Sequence, residues 1–139
     1  LTKRPEFRNI HALKDLPHYR LPPAGIVSIL HRISGFLMFL LLPFIIWMFD
    51  TSVSSEFSFI KFKAAFNTGL LGLPGWCWKL VALALIWAYL HHLIAGLRHL
   101  WMDARHAVSK EFGHSSALFT LALGAGLTGV LGLKLFGIY

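Results

Sequence analysis

Three apolar stretches, separated by polar connections and each long enough to cross a lipid bilayer, constrain this chain more than any other feature. A hydrocarbon layer about 30 Å thick takes roughly 20 apolar residues in a helix, with about 17 as the lower limit. Segments of about 29–49, 80–101 and 117–137 meet that length. Backbone groups inside lipid must satisfy one another, and a single segment does so only as a helix. The expected fold class is therefore an all-α membrane protein with three transmembrane helices. Residues 1–139 read as one membrane domain, with residues 1–28 as a cytoplasmic tail.

Charged residues make up 14% of the chain and hydrophobic ones 56%, whereas a soluble domain carries about 25% charged residues. The only cysteine, Cys77, excludes a disulfide scaffold. A net charge of +7 would suit a nucleic-acid binder, but in a membrane chain basic residues flank the spans and set their orientation. Lys3, Arg4, Arg8, Lys14, Arg20, Arg32, Arg98, Arg105 and Lys110 fall on one side of the bilayer; Lys61, Lys63, Lys79 and Lys134 fall on the other. That asymmetry predicts a cytoplasmic N-terminus and a C-terminus on the far side. Residues 1–20 lack an apolar h-region, so the first span is expected to act as its own insertion signal.

Pro43 predicts a kink in the first span. The small residues Ala122, Ala125, Gly126, Thr128, Gly129 and Gly132 predict close helix packing in the third. Lys134 is placed to snorkel. Residues 57–66, aromatic and basic, suit the interface plane, and Trp47, Trp76, Trp78 and Trp101 suit an interfacial aromatic belt.

Ionisable residues within spans are costly in lipid and normally face a partner, a cofactor or water. The second span carries His91, His92, Arg98 and His99. With helical periodicity, Ala88 and Gly96 lie one turn either side of His92 and His99 two turns beyond. Small neighbours one turn away are what a porphyrin needs around an axial histidine, so His92 is the candidate haem ligand. His91 points about 100° away and lacks that spacing. His99 lies roughly 10.5 Å along the axis from His92, too far to ligate the same iron from the opposite side but at the depth where propionates emerge. Ser28, His31 and Arg32 occupy successive turns at the start of the first span, and an arginine there can pair with a carboxylate. A lone histidine at a helix end is ordinarily an interfacial polar residue. Histidines and arginines from two spans meeting at one depth carry more meaning. The third span has no ligand to place opposite His92 and His31 sits too near the surface, so a second ligand must come from another polypeptide. Without a C-x-x-C-H run, the haem would be held without thioether bonds.

Residues 28–35, SILHRISG, resemble the S-x-x-H-R-x-[ST]-G signature of the cytochrome b membrane-anchor subunits of succinate dehydrogenase, respiratory complex II of the tricarboxylic acid cycle. His92-x-x-x-Gly96-x-Arg98-His99-x-x-x-Asp103 resembles the family's second signature, H-x-x-x-G-x-R-H-x-x-x-D, in the right order. Arg4-Pro5 resembles the N-terminal Arg-Pro of the family. Residues 6–19 and the third span match less closely. The resemblance implies that His92 is the axial ligand of haem b, that His31, Arg32 and His99 surround the propionates, and that Ser28 and Arg32 line the ubiquinone site. It also implies a second hydrophobic anchor subunit supplying the other ligand, an iron–sulfur subunit and a flavoprotein at the cytoplasmic face, in a bacterial inner membrane. The chain itself lacks a nucleotide-binding glycine loop and a cysteine cluster, so it is expected to be a non-catalytic electron-transfer subunit. Two alternatives stay open at this point: the anchor of a quinol:fumarate reductase, and a haem-free structural anchor or small transporter.

Overall fold

The computed structural model describes residues 11–106 and 109–139, which are helical throughout apart from short connections. Lys3, Arg4, Pro5 and Arg8 of the tail lie outside the described residues. In chain order the helices are α1 (Ala12–Asp15), α2 (Pro23–Leu40), α3 (Leu42–Val53), α4 (Glu56–Asn67), α5 (Gly75–Arg105) and α6 (Lys110–Leu135). Among them α2, α5 and α6 are long and apolar enough to cross a membrane.

Local chemistry accounts for where these helices start and stop. Pro23 opens α2 with its φ already helical and no N–H to leave unpaired. At the other end Pro43 has no N–H to return to the Phe39 carbonyl, and the first apolar stretch divides at Leu41 into α2 and α3 instead of kinking within one helix. Ser109 caps α6 by accepting from the Phe112 N–H at 3.2 Å, with Glu111 in the positive first turn. His106, in the left-handed conformation with φ 52°, ends α5.

The bundle is held at its tail-side half by small residues. Val27 of α2, Ala95 of α5 and Ala117 of α6 form a fully buried cluster, with Ala24 and Leu121 against it. In lipid there is no hydrophobic force between helices, so close backbone approach over alanine and glycine supplies the dispersion that joins them. Most large apolar side chains, among them Phe36, Phe39, Leu93 and Leu97, point outward.

The far-side half is built differently. Ser55 and Ser58 form a capping box at the start of α4, which packs on α3 and α5 and buries Ala65. Trp47 and Trp78 are half-buried here instead of forming a loose belt: Phe44 stacks on both at 5.6 and 5.5 Å, and Phe62 meets Trp47 at 6.4 Å. Trp76 and Trp101 stay largely exposed. A tight loop joins α4 to α5, with positive φ at Gly69, Leu71 and Gly72. The Trp78 indole donates to the Leu70 carbonyl across it at 3.1 Å.

Candidate functional site

α2 and α5 cross where the sequence places most of its intramembrane polar residues. The His31 and His92 rings stack with centroids 4.1 Å apart and planes 24° off parallel, and His99 lies 5.5 Å from His31. Three of the predicted site residues therefore share one location. The sequence argument set His31 nearer the surface than His92. Here the two rings lie face to face, so no porphyrin fits between them, and direct contact, not depth, keeps His31 from being the opposite ligand.

The contacts of His92 Nδ1 determine which ring nitrogen carries the proton. Nδ1 is 3.1 Å from the His31 carbonyl oxygen and 3.2 Å from Ser34 Oγ, and Ser34 Oγ donates to that same carbonyl at 2.8 Å. A carbonyl only accepts, so Nδ1 must be the donor, and Ser34, its own hydrogen already committed, receives a share of the Nδ1 proton. The neutral ring then has its lone pair on Nε2. Nε2 has no hydrogen bond to the described residues and is not among the occluded nitrogens.

Room for this arrangement comes from glycine. A Cβ on Gly35 would stand 3.0 Å from His92 Cε1 and 3.3 Å from Nδ1. Gly96 faces His31, whose Nε2 would be 3.7 Å from a Cβ there, and Ala88 is fully buried. The Ala88–His92–Gly96 face is thus turned partly into the contact with α2, not laid open along its length. His31 Nε2 is buried without a hydrogen-bond partner among the described residues.

Ser28 and Arg32 lie one turn apart on α2, the first half-buried and the second exposed. Most serine and threonine hydroxyls in these helices return to a carbonyl three or four residues back, as Thr51, Ser115, Thr120 and Thr128 do. Ser28 Oγ and the Arg32 guanidinium make no hydrogen bond among the described residues.

Arg98 and His91, the other two polar residues singled out in the second span, turn elsewhere. Arg98 donates from Nε to Ser116 Oγ at 2.9 Å and from Nη2 to the Gly113 carbonyl at 3.1 Å, tying α5 to the first turns of α6. It does not join the histidine group. His91 is 1% exposed, stacks on Trp87 at 5.6 Å and fits against Gly124 of α6. Sequence reasoning missed Ser34 and Gly35, although the signature that contains His31 ends on them. It also missed Arg98's partners, for which α6 offered no spacing signal.

Two curated relatives carry the name succinate dehydrogenase cytochrome b556 subunit. That of Coxiella burnetii is 39% identical over 103 residues, covering 74% of this chain and 78% of the relative. That of Paracoccus denitrificans is 32% identical over 126 residues, covering 88% and 91%. Residues 8–131, which include every site residue above, match the succinate dehydrogenase/fumarate reductase transmembrane subunit family. With three membrane-length helices and both signature segments meeting at one helix crossing, this chain belongs to that family of respiratory membrane-anchor subunits.

Proposed function

We propose that this chain is the cytochrome b anchor of a succinate dehydrogenase in the bacterial cytoplasmic membrane, oriented with its N-terminus in the cytoplasm, where it binds haem b at His92 and forms part of the ubiquinone-reducing site. The observation that carries the haem assignment is the His92 ring, with Nδ1–H bound to the His31 carbonyl and Nε2 making no hydrogen bond among the described residues. Ligating histidines characteristically donate their other ring N–H to a carbonyl or carboxylate, which fixes the ring and raises its basicity. Haem b, when bound, supplies a one-electron carrier within the membrane. The donor set also fits the rest of that group: Arg32 and His99, both exposed beside His31, suit the propionates.

The relatives' names support haem b, and a second anchor subunit would supply the remaining ligand, because the His31 ring packs directly on His92. Succinate oxidation requires flavoprotein and iron–sulfur subunits, which dock on the cytoplasmic face. Ser28 donates its free hydroxyl to a quinone carbonyl, and Arg32 stabilises the negative charge that develops on the ring as it is reduced.

A reduced-minus-oxidised spectrum of the purified complex tests the haem assignment. The parent is expected to show a b-type band and His92→Ala to lose it; a parent without the band, or a mutant that keeps it, overturns the assignment. Direction is tested by assaying the complex with both substrates. Fumarate reduction by menaquinol that outpaces succinate oxidation by ubiquinone would reassign it as a fumarate reductase anchor.

A further inference from the structure

We infer that Ser34 and Gly35 are positioning residues for the axial histidine: Ser34 holds the Nδ1 proton of His92 in place, and Gly35 keeps open the space its ring occupies. The inference rests on the reading of His92 as a haem ligand and assigns two neighbours that never touch the iron.

Ser34 is fully buried, in a span where an unsatisfied hydroxyl is costly. A hydroxyl that served only to satisfy itself would need no more than the bond it makes to the His31 carbonyl one turn back on its own helix. Its second contact reaches the other helix, to His92 Nδ1 at 3.2 Å. Because its hydrogen is spent on the carbonyl, the oxygen faces the imidazole as an acceptor. The carbonyl and the hydroxyl bracket one N–H and resist both rotation of the ring and a change of tautomer. Removing the hydroxyl would leave the carbonyl as the single acceptor, a weaker restraint against rotation of the ring and against movement of the proton to Nε2, where it blocks ligation. Shared donation from Nδ1–H also gives the ring partial imidazolate character, which strengthens Nε2 as a donor and favours the oxidised iron.

Gly35 acts by shape. Glycine inside a helix normally weakens it relative to alanine, so a structural role alone would favour Gly35→Ala. A methyl group there would instead sit 3.0 Å from His92 Cε1, tighter than most Cβ contacts, so its neighbour must give by a few tenths of an ångström. The neighbour that must yield is the ring itself.

The test uses the complete complex, purified with its other subunits. Ser34→Ala is expected to assemble, to lose haem to apomyoglobin about tenfold faster, the lower end of what loss of an outer partner costs, and to raise the haem midpoint potential. Ser34→Thr, which restores the hydroxyl, is expected to return both values toward the parent's. Gly35→Ala is expected to assemble with lowered haem content. If Ser34→Ala does not assemble, Ser34→Cys, of similar size but a weak acceptor, is read in its place with the same expected shifts. Unchanged haem-loss rate and potential in the alanine or cysteine variant, or a threonine variant that rescues neither, overturns the role of Ser34. Full haem content with parental potential in Gly35→Ala overturns that of Gly35. Failure of the haem reading is distinct, because the parent would then lack the b-type band or His92→Ala would retain it.

Discussion

The tail-side and far-side halves of the bundle solve the same problem, joining helices in lipid, with different chemistry. On the tail side α2, α5 and α6 approach over Val27, Ala95 and Ala117, and a backbone carbonyl or a hydroxyl meets His92 Nδ1 and Arg98 between the helices. On the far side Phe44, Trp47, Phe62 and Trp78 make an aromatic joint, and the one indole bond to Leu70 ties a loop, not a second helix. Polar function in this chain is thus concentrated where small residues bring backbones together, because a close backbone supplies the hydrogen-bond acceptors that lipid lacks. The adjacent residues His91 and His92 repeat the contrast on a finer scale. One is sealed against α6 and the other keeps a nitrogen accessible.

The largest expected effect sharpens that second contrast. His92→Ala should abolish the b-type band, whereas His91→Phe, which keeps the stacking on Trp87 and fills the same core, should keep it. A lost band in both variants would mean that the two histidines are not functionally distinct. Next in size, Arg32→Leu or Ser28→Ala should slow quinone reduction by about 10²-fold, the usual consequence of removing a group that stabilises developing charge. Succinate oxidation with a soluble artificial acceptor, measured on the same preparation, should persist; equal loss of both would point to failed assembly.

Two stability measurements test whether the halves are separable. A Cβ on Gly75 would collide with the Phe66 carbonyl, and that atom is backbone and cannot swing aside. Gly75→Ala should cost about 1–3 kcal/mol, read as a lower thermal midpoint of the purified complex, while the haem spectrum stays parental. A shifted spectrum would show that the far-side joint controls the site. Arg98→Met should cost about 1–2 kcal/mol through loss of its two bonds to α6. Arg98→Lys should recover only part, since an ammonium cannot reproduce the planar fork. Full recovery by lysine would mean that charge alone, not the paired geometry, holds α5 to α6.

Much of this molecule is legible in its sequence. Apolar runs specify membrane helices because lipid leaves the backbone no alternative, and α5 and α6 have the length and composition to cross, whereas the first membrane-length helix is Pro23–Leu40 instead of the expected 29–49 because the run breaks ahead of Pro43. That histidines of the first two spans lie near one another followed from helical spacing within each span plus the requirement that intramembrane ionisable groups find a partner, whereas the stacking of His31 on His92 did not. Pro43 marked the place where the first run departs from a single helix, since a missing N–H is a property of the residue itself.

What spacing could not supply was the relation between helices. Periodicity says which residues share a face of α5; it does not say what that face meets. The crossing of α2 over α5 decided that His92 Nδ1 finds the His31 carbonyl and Ser34, and so which nitrogen is left for a ligand. The approach of α6 decided that Arg98 bonds to Ser116 and Gly113 and that His91 is sealed beside Gly124. Hydrophobicity acts on each segment separately and is written along the chain. Hydrogen bonds between segments depend on ångström-scale approach and relative rotation, which arise only when the helices pack.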